Sequence, residues 1–243
     1  MLLSRLPDGS AEIFQTLQGE GPSLGLPAVF IRLSQCNLHC VWCDTPYTWN
    51  WEKTPWSHED GKKFSKKEQS LELTPAEIAP LITRHGCPRV VITGGEPLLQ
   101  QDEIVALIPI LENVREIEFE TNGTRLPTPD LNVLATQYNV SPKLANSGMD
   151  AKTRLYPEVL DFFSANPKAT FKFVVQNDTD LAELAEIQKT HAISPERISL
   201  MPEGRNAEIL KKRAQWLAAL CIENGYRFSP RLHVQLWGDE RGR

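Results

Sequence analysis

Short apolar runs alternate along the chain with stretches whose apolar residues recur at helical spacing. Ala28–Ser34, Arg89–Thr93, Glu116–Thr121, Tyr138–Ser141, Thr170–Gln176, Arg197–Met201 and Arg231–Leu236 read as strands. The segments between them read as helices. Thr74-Pro75-Ala76-Glu77 carries an N-cap with proline at the first helical position and opens a helix over Ala76–His85. Leu98–Asn113 is helical with a break near Pro109. Asp178–Thr190 carries Leu181, Leu184, Ala185 and Gln188 at helical spacing. Asn206–Asn224 places Leu210, Ala214, Leu217, Leu220 and Cys221 on one face and stops at Gly225. Strands alternating with helices imply a parallel sheet covered by helices, and about six βα units are too few to close an eight-unit barrel. The expected fold is α/β, a partial, open TIM-type barrel with a parallel sheet; a doubly wound sheet is the alternative. Residues 1–243 show no internal repeat and read as a single domain.

The residues with notable chemistry fall just after the strands. A cysteine-rich loop follows the first, Thr93-Gly94-Gly95-Glu96-Pro97 the second and Glu120-Thr121-Asn122-Gly123 the third. Ser141-Pro142-Lys143, Gln176-Asn177-Asp178 and Met201-Pro202-Glu203-Gly204 close the next three. Parallel βα folds bind ligands at the carboxyl ends of their strands. Any one of these loops is also readable as a plain turn built from Gly, Pro and Asn; together they favour a site.

The cysteine loop is Cys36-Asn37-Leu38-His39-Cys40-Val41-Trp42-Cys43. Three thiolates on one loop can grip a soft metal centre. A structural zinc site prefers four protein ligands, commonly as two pairs, and the second pair is missing, although His39 or Cys87 is available as a fourth. An iron–sulfur centre held by three ligands would keep one iron open for a reactant. The five cysteines are an odd count without the spread of a disulfide framework. Cys221 reads as core.

A net charge of -5 argues against a dominant electrostatic partnership with nucleic acid or an anionic membrane. No segment has the length of a membrane-spanning helix, and the first residues lack the apolar stretch of a signal peptide. Free thiols without an export signal point to the cytoplasm.

The Cys-x3-Cys-x2-Cys spacing followed by Gly94-Gly95-Glu96-Pro97 resembles the radical S-adenosylmethionine enzymes. Phe14-Gln15-Thr16-Leu17-Gln18-Gly19-Glu20-Gly21, Cys43-Asp44-Thr45, Ser141-Pro142-Lys143 and Leu232-His233-Val234-Gln235-Leu236-Trp237-Gly238 narrow the resemblance to the 7-carboxy-7-deazaguanine synthase family, from Phe14 to Gly238. The resemblance implies a 4Fe–4S cluster on Cys36, Cys40 and Cys43, S-adenosylmethionine chelated to its open iron, and magnesium. It implies radical conversion of 6-carboxy-5,6,7,8-tetrahydropterin to 7-carboxy-7-deazaguanine with loss of ammonia, in 7-deazapurine (queuosine precursor) biosynthesis. It places Leu17, Gln18, Gly19, Arg32 and Thr93 at the pterin substrate. Trp42, Asp44, Gly95, Ser141, Pro142 and Lys143 fall around S-adenosylmethionine, with Gln176, Asn177 and Asp178 beside them, and Thr45 at magnesium. It further implies a homodimer and an electron donor such as flavodoxin.

Several of these roles have a physical basis. Arg32 interrupts an apolar strand, and a buried guanidinium needs an anion; a substrate carboxylate supplies one, and a pair with Glu20 or Glu96 is the alternative. Magnesium takes hydroxyl and carboxylate oxygens while keeping waters, which suits Thr45, although Asp44-Thr45-Pro46 also reads as a turn. No general base stands out. His39 packs in the cysteine loop, His233 lies in the closing strand, and His58, His85 and His191 read as surface or helix-end residues.

Residues 51–70 set Trp51, Trp56 and Phe64 among five lysines and four acidic residues. The near balance favours a solvated insertion over a nucleic-acid surface; a flap over the site and a docking face for the electron donor are both open. The charged end Asp239–Arg243 is either a solvent tail or a closure over the site. Two rival functions remain: a radical enzyme acting on a partner protein, and a zinc-stabilised module that binds nucleic acid.

Overall fold

The computed structural model describes residues 1–243. Its strands are β1 (Leu2–Ser4), β2 (Ile13–Leu17), β3 (Pro27–Leu33), β4 (Ser70–Glu72), β5 (Arg89–Gly94), β6 (Glu116–Thr121), β7 (Gln137–Val140), β8 (Ala169–Val175), β9 (Ile198–Pro202) and β10 (Arg227–Phe228). The helices are α1 (Lys66–Gln69), α2 (Pro75–Thr83), α3 (Gln101–Leu107), α4 (Pro129–Leu134), α5 (Ala151–Arg154), α6 (Pro157–Ala165), α7 (Asp178–Thr190), α8 (Ala207–Asn224) and α9 (Leu232–Trp237).

All strands join one sheet in the order β10-β9-β8-β7-β6-β5-β3-β1-β4, with β2 also on β3. From β3 through β5, β6, β7, β8 and β9 to β10 every pairing is parallel. β1, β2 and β4 add antiparallel pairings beyond β3. The sheet does not close, so the expected open, mostly parallel α/β barrel is what forms. No helix is long and apolar enough to cross a membrane.

Alternation along the strands separates core from site. On β8, Phe171, Phe173 and Val175 belong to the apolar core of 38 residues, whereas Lys172 and Val174 line a cavity at the other face. On β6, Ile117 and Phe119 are core while Glu118 and Glu120 point inward. The barrel interior is therefore polar and the layer beneath the helices apolar.

The helix signals act as read. Thr74 and Glu77 form a reciprocal capping box at α2. α7 has the expected bounds, and α8 begins after Asn206 and ends at Gly225, whose φ of 70° is left-handed. The helix at Leu98–Asn113 is broken: α3 gives way to a 3₁₀ turn at Ile108–Ile110 that contains Pro109. Cys221 is buried in the core.

The closing segment differs from expectation. Arg231–Leu236 reads as a strand by its Leu-x-Val-x-Leu alternation, but Leu232–Trp237 is the helix α9. β10 has already taken the place beside β9, and the chain then turns over the strand ends, where the Leu232 N–H donates to the Gly19 carbonyl at 3.1 Å. Only Val234 of α9 is buried, so burial does not enforce a two-residue period.

Candidate active site

A cavity of about 220 Å³ opens at the carboxyl ends of the parallel strands. Among its lining residues are Cys36, Cys40 and Cys43, with Trp42, Asp44, Thr45, Gly95, Ser141 and Lys143 of the expected cofactor residues. Leu17, Gln18, Gly19, Arg32 and Thr93 line it as well. Pro142, Gln176, Asn177 and Asp178 do not. Asn177 instead caps α7 by accepting from the Thr179 N–H at 3.0 Å, and the Gln176 N–H donates to Asp180 at 2.7 Å.

The cysteine loop has no regular structure and is strapped from several sides. Gln35, just before Cys36, holds a left-handed φ of 78°, with its N–H on the Thr48 carbonyl and its carbonyl accepting from Glu96 at 2.8 Å. Gly95 packs so closely beneath it that a Cβ would stand 2.0 Å from the Gln35 carbonyl oxygen. Glu96 locks the neighbouring loops: its buried carboxylate accepts from the Leu98 N–H, the Thr121 hydroxyl and the Asn122 N–H. On another side the Val41 N–H reaches the Ser147 carbonyl and the Trp42 indole the Asn146 carbonyl.

The segment 51–70 packs against this loop. The Glu59 N–H donates to the Val41 carbonyl, and His58 Nε2 lies 2.8 Å from the Cys43 carbonyl oxygen. His58 is thus buried, not a surface residue. His39 stacks on Trp56 with centroids 3.7 Å apart. His39 and Cys87 are both absent from the cavity lining, so neither supplies a fourth ligand there.

Burial pushes the Cys40 thiol up to about 12 and also raises Cys36 and Cys43. A metal centre would therefore displace protons from them. The donor set fits an iron–sulfur cluster: three thiols share one cavity, no group of three ligating side chains forms a single-ion nest, and N–H donors are aimed at two of the sulfurs. The Leu38 N–H approaches Cys36 Sγ at 3.4 Å and the Trp49 indole approaches Cys43 Sγ at 3.3 Å.

Arg32 pairs with Glu12 at 2.9 Å, not with Glu20 or Glu96. Glu12 is fully buried and also receives Arg241 at 2.8 Å and the Tyr47 hydroxyl at 3.1 Å. Only Nε of Arg32 is used, so its terminal nitrogens face the cavity without a protein partner. Lys143 donates to Ser141 at 3.0 Å and meets no carboxylate. The Thr93 hydroxyl has no protein partner. The Thr45 hydroxyl lies 3.6 Å from Cys43 Sγ. Asp44 pairs with Arg231; although burial opposes ionisation, Arg231 and Arg32 hold its carboxyl well below the usual range. Gly19 is required by contact, since a Cβ would stand 2.6 Å from His233 Nδ1.

Sequence reading missed the charged interior. Lys172 on β8 bridges Glu20 and, at 2.8 Å, Glu120. Gln18 is used structurally, its amide donating to Glu118 at 2.5 Å and Glu120 at 3.1 Å. Asn139 donates to the same two carboxylates. The signal was present as a lone lysine in the apolar run Phe171–Val175 and as glutamates at alternate positions 116, 118 and 120. The closing segment joins the site as well: His233 and Arg243 line the cavity, so Asp239–Arg243 is not a free tail.

Residues 31–142 match the Radical SAM superfamily. The 7-carboxy-7-deazaguanine synthase of Pyrobaculum aerophilum is 36% identical over 96% of this chain and 96% of its own length. That of Hyperthermus butylicus is 36% identical over 92% of this chain and 90% of its own. The crystal structure of QueE from Escherichia coli superposes with a TM-score of 0.65 at 29% identity, covering 96% of this chain and 95% of that one. Membership of the superfamily implies a 4Fe–4S cluster and S-adenosylmethionine as cofactors. With its three thiols, its glycine-backed loop and its open cations gathered at one strand edge, the chain belongs to the 7-carboxy-7-deazaguanine synthase family.

Proposed function

We propose that this protein converts 6-carboxy-5,6,7,8-tetrahydropterin to 7-carboxy-7-deazaguanine with loss of ammonia, in 7-deazapurine (queuosine precursor) biosynthesis in the cytoplasm, the whole chain acting as one domain. The observation that carries this reading is the coexistence, in one cavity, of three thiols, a lysine that meets no carboxylate, and an arginine whose pair with Glu12 uses only its Nε. When bound, the cluster and S-adenosylmethionine supply the hydrogen-abstracting radical that starts the ring contraction. Cys36, Cys40 and Cys43 hold the cluster. Lys143 offers a donor to the carboxylate of S-adenosylmethionine, with Ser141, Trp42, Gly95 and Asp44 lining the same cavity. Arg32 offers its free nitrogens to the pterin carboxylate, beside Thr93 and the Leu17–Gly19 turn. Thr45 offers a hydroxyl oxygen to magnesium, a hard ion that keeps most of its waters.

The loss of ammonia calls for proton transfer, and Glu20, Glu120 and Lys172 face the same cavity. Burial raises Glu120, whereas Lys172 and Arg231 overcome burial to hold Glu20 down. Glu120 is therefore the carboxyl of the pair suited to carry a proton. A homodimer and a flavodoxin-type reductant complete the reading.

The test is an anaerobic assay of the reconstituted protein with dithionite, S-adenosylmethionine, magnesium and 6-carboxytetrahydropterin, followed by product mass. Formation of 7-carboxy-7-deazaguanine, lost in Cys40→Ala and kept in Cys87→Ala, is expected. Turnover by Cys40→Ala, or release of 5′-deoxyadenosine without the deazapurine, would overturn it.

A further inference from the structure

We propose that Trp49 sets the reduction potential of the cluster by donating its indole N–H to the Cys43 sulfur. This rests on the reading that Cys36, Cys40 and Cys43 hold that cluster. Nε1 of Trp49 lies 3.3 Å from Cys43 Sγ. The side chain is buried, and His39 and His58 present their rings to it at 5.1 Å and 6.2 Å. An indole N–H only donates, and a buried one needs an acceptor. The two neighbouring indoles meet backbone oxygens: Trp42 donates to the Asn146 carbonyl at 2.9 Å and Trp51 to the Tyr47 carbonyl at 3.1 Å. The Trp49 indole has the sulfur as its acceptor. The sulfurs are served unequally: Cys36 has the Leu38 N–H at 3.4 Å and the Asn122 amide at 3.9 Å, Cys43 has the Trp49 indole with the Thr45 hydroxyl at 3.6 Å, and Cys40 has no side-chain donor.

Hydrogen bonds to cluster sulfurs are among the factors that set the potential. In the step concerned, one electron passes from an external one-electron reductant to the oxidised cluster. The reductant is oxidised by one electron, no covalent bond breaks, and the indole keeps its proton. The added charge strengthens the acceptor at Cys43, so the N–H stabilises the reduced state more than the oxidised one. Trp49 is a positioning residue that acts through Cys43.

The experiment is a redox titration of the reconstituted full chain, with dithionite as reductant and the reduced cluster read by electron paramagnetic resonance. Trp49→Phe keeps the ring and removes the N–H. It is expected to move the reduction equilibrium about tenfold toward the oxidised cluster, a midpoint about 59 mV lower for one electron. Trp51→Phe, which removes a donor to a carbonyl, is expected to leave the midpoint in place. A second measurement needs no Trp49 variant: with 15N-labelled tryptophan, the reduced cluster is expected to show hyperfine coupling to an indole nitrogen that survives in Trp42→Phe. An unchanged or raised midpoint in Trp49→Phe, an equal drop in Trp51→Phe, or no such coupling overturns the proposal. Protein that takes up no iron and sulfide overturns the cluster reading itself, and this inference with it. Normal uptake with an unmoved midpoint overturns this inference alone.

Discussion

Replacing Lys172 by methionine tests whether the barrel interior is held by charge. The ammonium bridges Glu20 and Glu120, the latter at 2.8 Å. Lys172→Met keeps the chain length of the stem and leaves two buried carboxylates facing each other. Removing one partner of a buried ion pair costs roughly 3–5 kcal/mol. Three remaining contacts set the low end: Arg231 stands 3.5 Å from Glu20, and Asn139 and Gln18 donate to Glu120 at 2.8 Å and 3.1 Å. The expected loss at pH 7.5 is therefore about 3 kcal/mol. With a urea slope of about 3 kcal/mol/M, suited to a chain of this size, the midpoint falls by about 1 M. The sign of the pH dependence follows from the carboxylates. Without Lys172, Glu120, already raised above the ordinary 4.5 by burial, loses the cation that offsets part of that rise, and Glu20 loses the larger of the cations that hold it down. A carboxyl raised in the folded state destabilises as pH climbs through and above 4.5 and does not below it. The penalty of Lys172→Met should thus shrink steadily from pH 7.5 toward pH 4.5. Urea unfolding of both proteins across that range reads it directly. A loss under 1 kcal/mol, or one of the same size at both ends of the range, would refute the charge-bridge account.

Three further substitutions probe the contacts around the cavity. Gly95→Ala sets a Cβ 2.0 Å from the Gln35 carbonyl oxygen and 2.9 Å from Cys36 Cβ, so about 1–3 kcal/mol of stability and most of the iron uptake should be lost; normal iron content would sink the buttress reading. Gly19→Ala meets His233 Nδ1 at 2.6 Å and its backbone nitrogen at 3.1 Å, which should lower turnover while iron content stays normal, as product formation and iron analysis would show. Trp56→Ala removes the ring stacked on His39, and air bleaching of the cluster, followed by visible absorbance, should speed up several-fold; an unchanged rate would mean the stack does not shield the site.

The sequence was most readable where a single physical constraint acts. Asp178–Thr190 has matching bounds because its apolar residues at helical spacing coincide with the Asn177 cap that opens the helix. The cysteine and glycine motifs identified the strand-end site because their spacing is local. What depends on contacts between distant residues was not readable. Arg32 finds Glu12 on the segment leading into β2, which pairs with β3. β1 and β4 have three residues each, too few to show a period. α9 alternates like a strand only because one face of a half-exposed six-residue helix leaves its pattern unconstrained. Lys172 is the instructive omission: a single charge in an apolar strand signals a buried partner, but not which one.

A loop that must hold three thiols without helix or strand needs its rigidity from elsewhere, and each support comes from a different part of the chain. Gly95 and Glu96 brace its start through Gln35, Asn146 and Ser147 tie down its middle, and His58 and Glu59 clasp its end. The last of these belong to residues 51–70, which gives that stretch a structural reason to exist next to the first strand. Its lysines and carboxylates face outward and nearly cancel, while Trp56 and His58 pack on His39 and Trp49 beside the cysteines. A free flap would leave those rings to water. The burial of His58 against Trp49, with Trp56 stacked on His39, instead makes the segment a wall of the cluster site, beside the tryptophan whose N–H reaches a sulfur.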